Sequence, residues 1–115
     1  SYIMKDDRIF LSHILLAIEN IELFTEGISQ DEFMANKEKQ SAVERQLEII
    51  GEAVKNISDE LKRGHAEIPW QDIAGMRNNL IHEYFGVDAN IIWDTVKSDI
   101  ALLKKDIRGL LDSDA

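Results

Sequence analysis

"VERQLEIIGEAVKNISDEL", residues 43–61, is the stretch whose reading decides the fold. Val43, Leu47, Ile50, Val54, Ile57 and Leu61 step by four, three, four, three and four, the recurrence of one helix face rather than of a strand. The spacing predicts one continuous amphipathic helix, with Arg63 as its basic end and Gly64 as a left-handed stop. Upstream, Phe10, Ile14, Ala17, Ile21 and Phe24 repeat the pattern between Asp6 and Glu26. Leu11, Leu15 and Ile18 widen that stripe and predict a heavily buried helix. Ser29 and Glu32 have the spacing of a capping box and open a short turn around Phe33 and Met34. Downstream, Pro69 suits entry to a new helix, on which Trp70, Ile73, Met76, Leu80 and Tyr84 share a face. Gly86 is the expected terminator, and Asp88 the expected N-cap of a last helix carrying Trp93, Val96, Ile100, Leu103, Ile107 and Leu110.

These elements predict an all-α fold, an antiparallel bundle of four to five helices. A single domain is expected over residues 4–112. Ser1, Tyr2 and Ile3 are read as residues ahead of a natural start at Met4, or as a disordered N-terminus. The near-heptad seams leave room for a helix face to pair with a second copy of the chain.

With 115 residues, 44% hydrophobic and 30% charged, the chain has the size and balance of one globular domain. It contains no cysteine, so disulfides and thiolate metal sites are excluded. No apolar run approaches the roughly 20 residues that span a bilayer, and no signal-peptide pattern opens the sequence; the expected location is the cytoplasm. The net charge of −9 argues against generic nucleic-acid binding, which depends on Lys and Arg neutralising phosphates. Any such contact needs a local patch, and an acidic chain also suits a basic protein partner.

Several groups could carry chemistry. Glu44, Glu48 and Glu52 stand at four-residue spacing, but a carboxylate-bridged metal site in a bundle also wants Glu-x-x-His, which this chain lacks. A solvated or ion-paired row is the commoner case; Glu52, following Gly51, is the member expected to be partly buried against an arginine. His13 among apolar residues and His65 in a polar loop have no evident companions. Lys97, Lys104 and Arg108 fall near one helix line, which could track a phosphate backbone but is more often a solvated flank.

"RNNLIHEYFG", residues 77–86, is the most informative segment for function. Arg77 offers a planar fork for phosphate oxygens, and His82 a group suited to proton transfer near neutrality. At about 100° per residue, Arg77 and His82 lie about 140° apart, so one regular helix does not converge them. They could meet if the helix loosens near His82, or if two copies bring one Arg77 to the other's His82. The competing reading is a capped helix end with a hydrogen-bonded histidine.

"GMRNNLIHEYFGVD", with "IPW" and "LEIIGEAVKNIS" upstream, resembles the HepT-like branch of the HEPN families. The resemblance runs from "DDRIFLSHILLAIENI" through "IIWDTVKSDIALL", and its central pattern is carried here by Arg77, Asn78, His82 and Tyr84. It implies a helical homodimer that joins two arginine–histidine motifs at its interface. It also implies the toxin half of a type II toxin–antitoxin pair, a metal-independent ribonuclease with no cofactor. The catalytic residues would be Arg77 and His82, with Asn78 orienting or contacting RNA. The implied partner is a minimal nucleotidyltransferase antitoxin that binds the toxin and attaches AMP to Tyr84. Some HEPN proteins are binding modules instead, so the alternative is a non-catalytic module that engages a nucleotidyltransferase partner or a nucleotide.

Overall fold

A computed structural model describes the backbone of residues 3–82 and 88–113, and the side chains of these residues except 77–82. Among the described residues every regular element is helical: α1 Lys5–Thr25, α2 Gln30–Met34, α3 Lys37–Lys55, α4 Asp59–Gly64, α5 Trp70–His82, α6 Ala89–Asp94 and α7 Ala101–Ser113. A π-helical segment, Thr95–Ile100, joins α6 to α7 without a break. The expected all-α bundle is what forms.

α1 buries Leu11, Ile14, Ala17, Ile18 and Ile21, a stripe centred between the two rows read from its sequence. Phe10, Leu15 and Phe24 sit half-buried at its edges. Lys39 Nζ donates to the Phe24 carbonyl at 2.9 Å, Asn20 Nδ2 to Gln46 Oε1 at 3.3 Å, and Ser58 N to Asp7 Oδ1 at 2.8 Å. Residues early in α1 therefore meet residues late in α3 and beyond, and the two helices run antiparallel. α7 also lies antiparallel along α1, with Lys104 on Glu22 at 2.8 Å and Arg8 Nη2 donating to the Leu111 carbonyl at 3.2 Å. α5 packs on α3.

The two expected caps form. Ser29 Oγ accepts from Glu32 N at 3.1 Å while Glu32 Oε1 accepts from Ser29 N at 3.2 Å, so α2 opens on a complete capping box. Asp88 Oδ1 accepts from Asn90 N at 2.9 Å and starts α6. The fully buried Phe33 anchors α2, its ring 5.3 Å from that of Trp93.

The seam from Val43 to Leu61 is not one helix. α3 ends at Lys55 and α4 starts at Asp59, although Ile57 and Leu61 stay buried as the seam requires. Asp7 makes the break: its buried carboxylate accepts from Ser58 N and, at 2.6 Å, from Ser58 Oγ. Ser58 Oγ in turn accepts from Leu61 N at 3.1 Å and caps α4. A carboxylate with two such donors contributes about 2–3 kcal/mol. α4 does end at Gly64, but not by a left-handed turn, because Gly27 (φ 72) is the only described residue with positive φ. Ile3, placed outside the expected domain, is buried in the core. No described helix is long and apolar enough to cross a membrane.

Candidate active site

α5 carries the motif. Pro69 stands immediately before it and accepts from Ile73 N at 3.1 Å, and Asp72 in its first turn complements the positive end of the helix. Trp70 and Ile73 bury one side against the core, and Trp70 Nε1 donates to the His65 carbonyl at 3.0 Å. Gln71 and Asp72 are exposed on the other side, and a Cβ at Gly75 would meet nothing within 4 Å.

This burial pattern orients the rest of the helix. Residues 71, 75, 78 and 82 share a line at steps of four, three and four, so the helix positions of Asn78 and His82 continue the outward side. Position 77 lies seven residues after Trp70, near the helix line of that residue. The two positions stay about 140° apart, because α5 is α-helical through His82 and no loosening precedes it. One copy of α5 therefore does not bring its arginine and histidine positions onto one side. Tyr84 and Gly86 lie outside the described residues.

The other candidates resolve differently. Arg45 pairs with Glu48 at 3.4 Å and Lys55 with Glu52 at 3.7 Å. Glu52 is exposed, not partly buried as expected, because the helix turns it toward solvent beside Lys55. No cluster of three metal-ligating side chains exists among the described residues. Burial, and then the neighbouring Glu48 charge, raise the Glu44 pKa above its ordinary value of 4.5. Above pH 4.5 the folded protein thus holds a proton the unfolded chain releases, and stability falls as pH rises through that window. Glu44→Gln is expected to raise the melting temperature at neutral pH and to leave it unchanged well below pH 4.5, as read by thermal unfolding at both.

His13 has more company than its sequence suggested. It is exposed, meets Phe10 edge-on at 5.9 Å between ring centres, and lines a cleft of about 400 Å³ with Arg45, Glu48 and Glu52. No sequence signal marks this grouping, since it comes from the pairing of α1 with α3. His65 has its Nδ1 3.5 Å from Glu67.

The basic line on the last helix meets acidic and aromatic neighbours of the same chain. Lys104 holds Glu22, Arg108 lies 3.7 Å from Glu19, and Lys97 sits 4.6 Å from the centre of the Trp93 ring. The π-helical turns also shift Lys97 out of phase with the other two. Two of the three cations thus already have acidic partners in the same chain.

The chain matches the family model described as "Ribonuclease HepT-like" over residues 14–110. A protein of Thermococcus cleftensis named "Probable ribonuclease HepT" is 55% identical over 100 residues, covering 87% of this chain and 91% of that one. A "Putative RNase" of Caldanaerobacter subterraneus subsp. tengcongensis is 44% identical over 111 residues, covering 96% and 99%. A Methanocaldococcus jannaschii protein named "Gamma-glutamylcyclotransferase and putative RNase" is 45% identical over 108 residues, 94% of this chain but 49% of its own length. No solved structure gives a significant match.

Proposed function

Because the chain belongs to the HepT-like ribonuclease family, we propose that it is a type II toxin that cleaves RNA without metal, through an arginine–histidine site completed across a homodimer. The observation that carries this reading is the continuity of α5 through His82. A helix that separates the two positions by about 140° needs a second copy to bring them onto one phosphate. α1 adds an unburied apolar row at seven-residue spacing, Ile9, Leu16 and Leu23.

In this mechanism one His82 takes the proton from a ribose 2′-hydroxyl. The oxygen attacks the adjacent phosphorus, an O2′–P bond forms, and the P–O5′ bond breaks. The second His82 protonates the departing 5′-oxygen. Arg77 stabilises the charge that builds on the phosphorane oxygens, and Asn78 orients the RNA. A minimal nucleotidyltransferase antitoxin binds the toxin and attaches AMP to Tyr84, which places bulk and negative charge where RNA would enter.

The purified protein is expected to cleave single-stranded RNA in the presence of EDTA and to leave intact a strand carrying a 2′-deoxy sugar at the cleaved position. Equal cutting of the deoxy strand would end the 2′-hydroxyl mechanism. No cutting of any RNA would leave the family's non-catalytic binding role as the reading.

A further inference from the structure

α7 and the π-helical segment before it sort their charges by side. Lys104 and Arg108 face α1, where they meet Glu22 and Glu19. Asp99 and Asp106 face the other way, and with Leu102 and Leu103 they line a groove of about 320 Å³ against the start of α5. Asp72 and Met76 supply the α5 side of that groove. None of Asp72, Asp99 and Asp106 has a described cation within ion-pair distance; Glu67, also on the rim, has His65 as its basic neighbour.

The floor is apolar. Ile73 and Leu103 are buried beneath it, and Leu102 stands at its edge with 64% of its surface exposed. Through Asp72, Met76 and Asp99 the groove continues into a second depression of about 330 Å³, reaching Thr95 and Ile91, which is 53% exposed. The π-helical Thr95–Ile100 runs along this channel and supplies Thr95 and Asp99 to its wall. π-helical turns are rare and frequently sit at functional sites.

We infer that this channel docks a basic, apolar-anchored segment of a protein partner, with Leu or Met side chains on the floor and Lys or Arg side chains among Asp72, Asp99 and Asp106. Charge complementarity selects the occupant. RNA phosphates would face the rim carboxylates and be repelled. A second copy seated by two-fold symmetry would bring the same acidic rim against itself. A basic segment can pair with the rim carboxylates and cover Leu102 and Ile91 at once. This inference does not depend on the nuclease reading.

The test uses a short fluorescent amphipathic peptide of lysine and leucine, its glutamate and leucine counterpart, and fluorescence anisotropy. The wild-type protein is expected to bind the lysine peptide, more weakly at high salt, and not the glutamate peptide. The triple variant Asp72→Asn, Asp99→Asn, Asp106→Asn is expected to lose about tenfold or more in affinity. The charge-matched control Asp31→Asn, Glu38→Gln, Glu60→Gln, at exposed acids elsewhere, is expected to bind nearly as wild type does. Leu102→Ser is expected to weaken binding with an unchanged melting temperature and unchanged oligomer mass. No binding of the lysine peptide by wild type, equal loss in the control, or equal binding of the two peptides overturns the inference. So does a change of oligomer mass in Leu102→Ser.

Discussion

His82→Ala is expected to lower RNA cleavage by about 10²–10⁴-fold, the range that removal of a positioned acid–base group produces. The fold should be nearly untouched, because position 82 lies on the outward side of α5, in line with exposed Gln71. A melting temperature equal to that of the parent therefore separates lost chemistry from lost structure. Arg77→Ala should lower cleavage by about 10²–10³-fold through lost transition-state charge stabilisation. That variant also needs its stability measured. Mixing the two inactive variants, with subunit exchange allowed, is the sharper experiment. A dimer of one Arg77→Ala copy and one His82→Ala copy retains one arginine–histidine pair drawn from different chains, with water left to protonate the departing oxygen in place of the missing second histidine. Partial recovery is the expected outcome. Recovery would show that the working arginine and histidine come from different chains; a mixed dimer no more active than either variant would remove that pairing as sufficient for cleavage, and a His82→Ala protein as active as the parent would remove histidine from the mechanism.

Phe33→Ala should be among the most damaging core changes. The ring is fully buried on a helix of only five residues and is packed against Trp93. Its loss is expected to cost about 3–5 kcal/mol, a large share of the roughly 5–15 kcal/mol that holds a typical domain together. The midpoint of urea unfolding should drop with little change in slope. The capping box survives the substitution, so a small effect would mean that Ser29 and Glu32, rather than the ring, hold α2 in place.

What the sequence made readable, and what it hid, divides by the reach of the interaction. Ser29 with Glu32, Asp88 with Asn90, and Pro69 before Trp70 are contacts within a turn, so residue type and spacing suffice to see them. The break between α3 and α4 was hidden because Ile57 and Leu61 keep the apolar rhythm through it. Its cause is Asp7, 51 residues away from Ser58, whose partner no local pattern announces. The π-helical turns were hidden for a similar reason: their extra residue per turn falls within a seam that reads equally well as α-helix. The same limit applied to Lys104 and Arg108, whose role as internal ion-pair partners depends on where α1 comes to lie. For the candidate site, helical spacing in "RNNLIHEYFG" already stated the separation of Arg77 from His82. What it lacked was which side faces inward, and the burial of Trp70 and Ile73 supplies that.

The contact between Arg8 and Leu111 spans 103 positions of the chain. During folding α1, α3 and α5 can pair before α7 docks, since α5 rests on α3 and α3 on α1. The motif helix can thus reach its seat in a chain whose Glu19 and Glu22 still face water. Closure waits for α7. An intermediate short of that step would hold a seated motif helix in a protein that is still open along one flank.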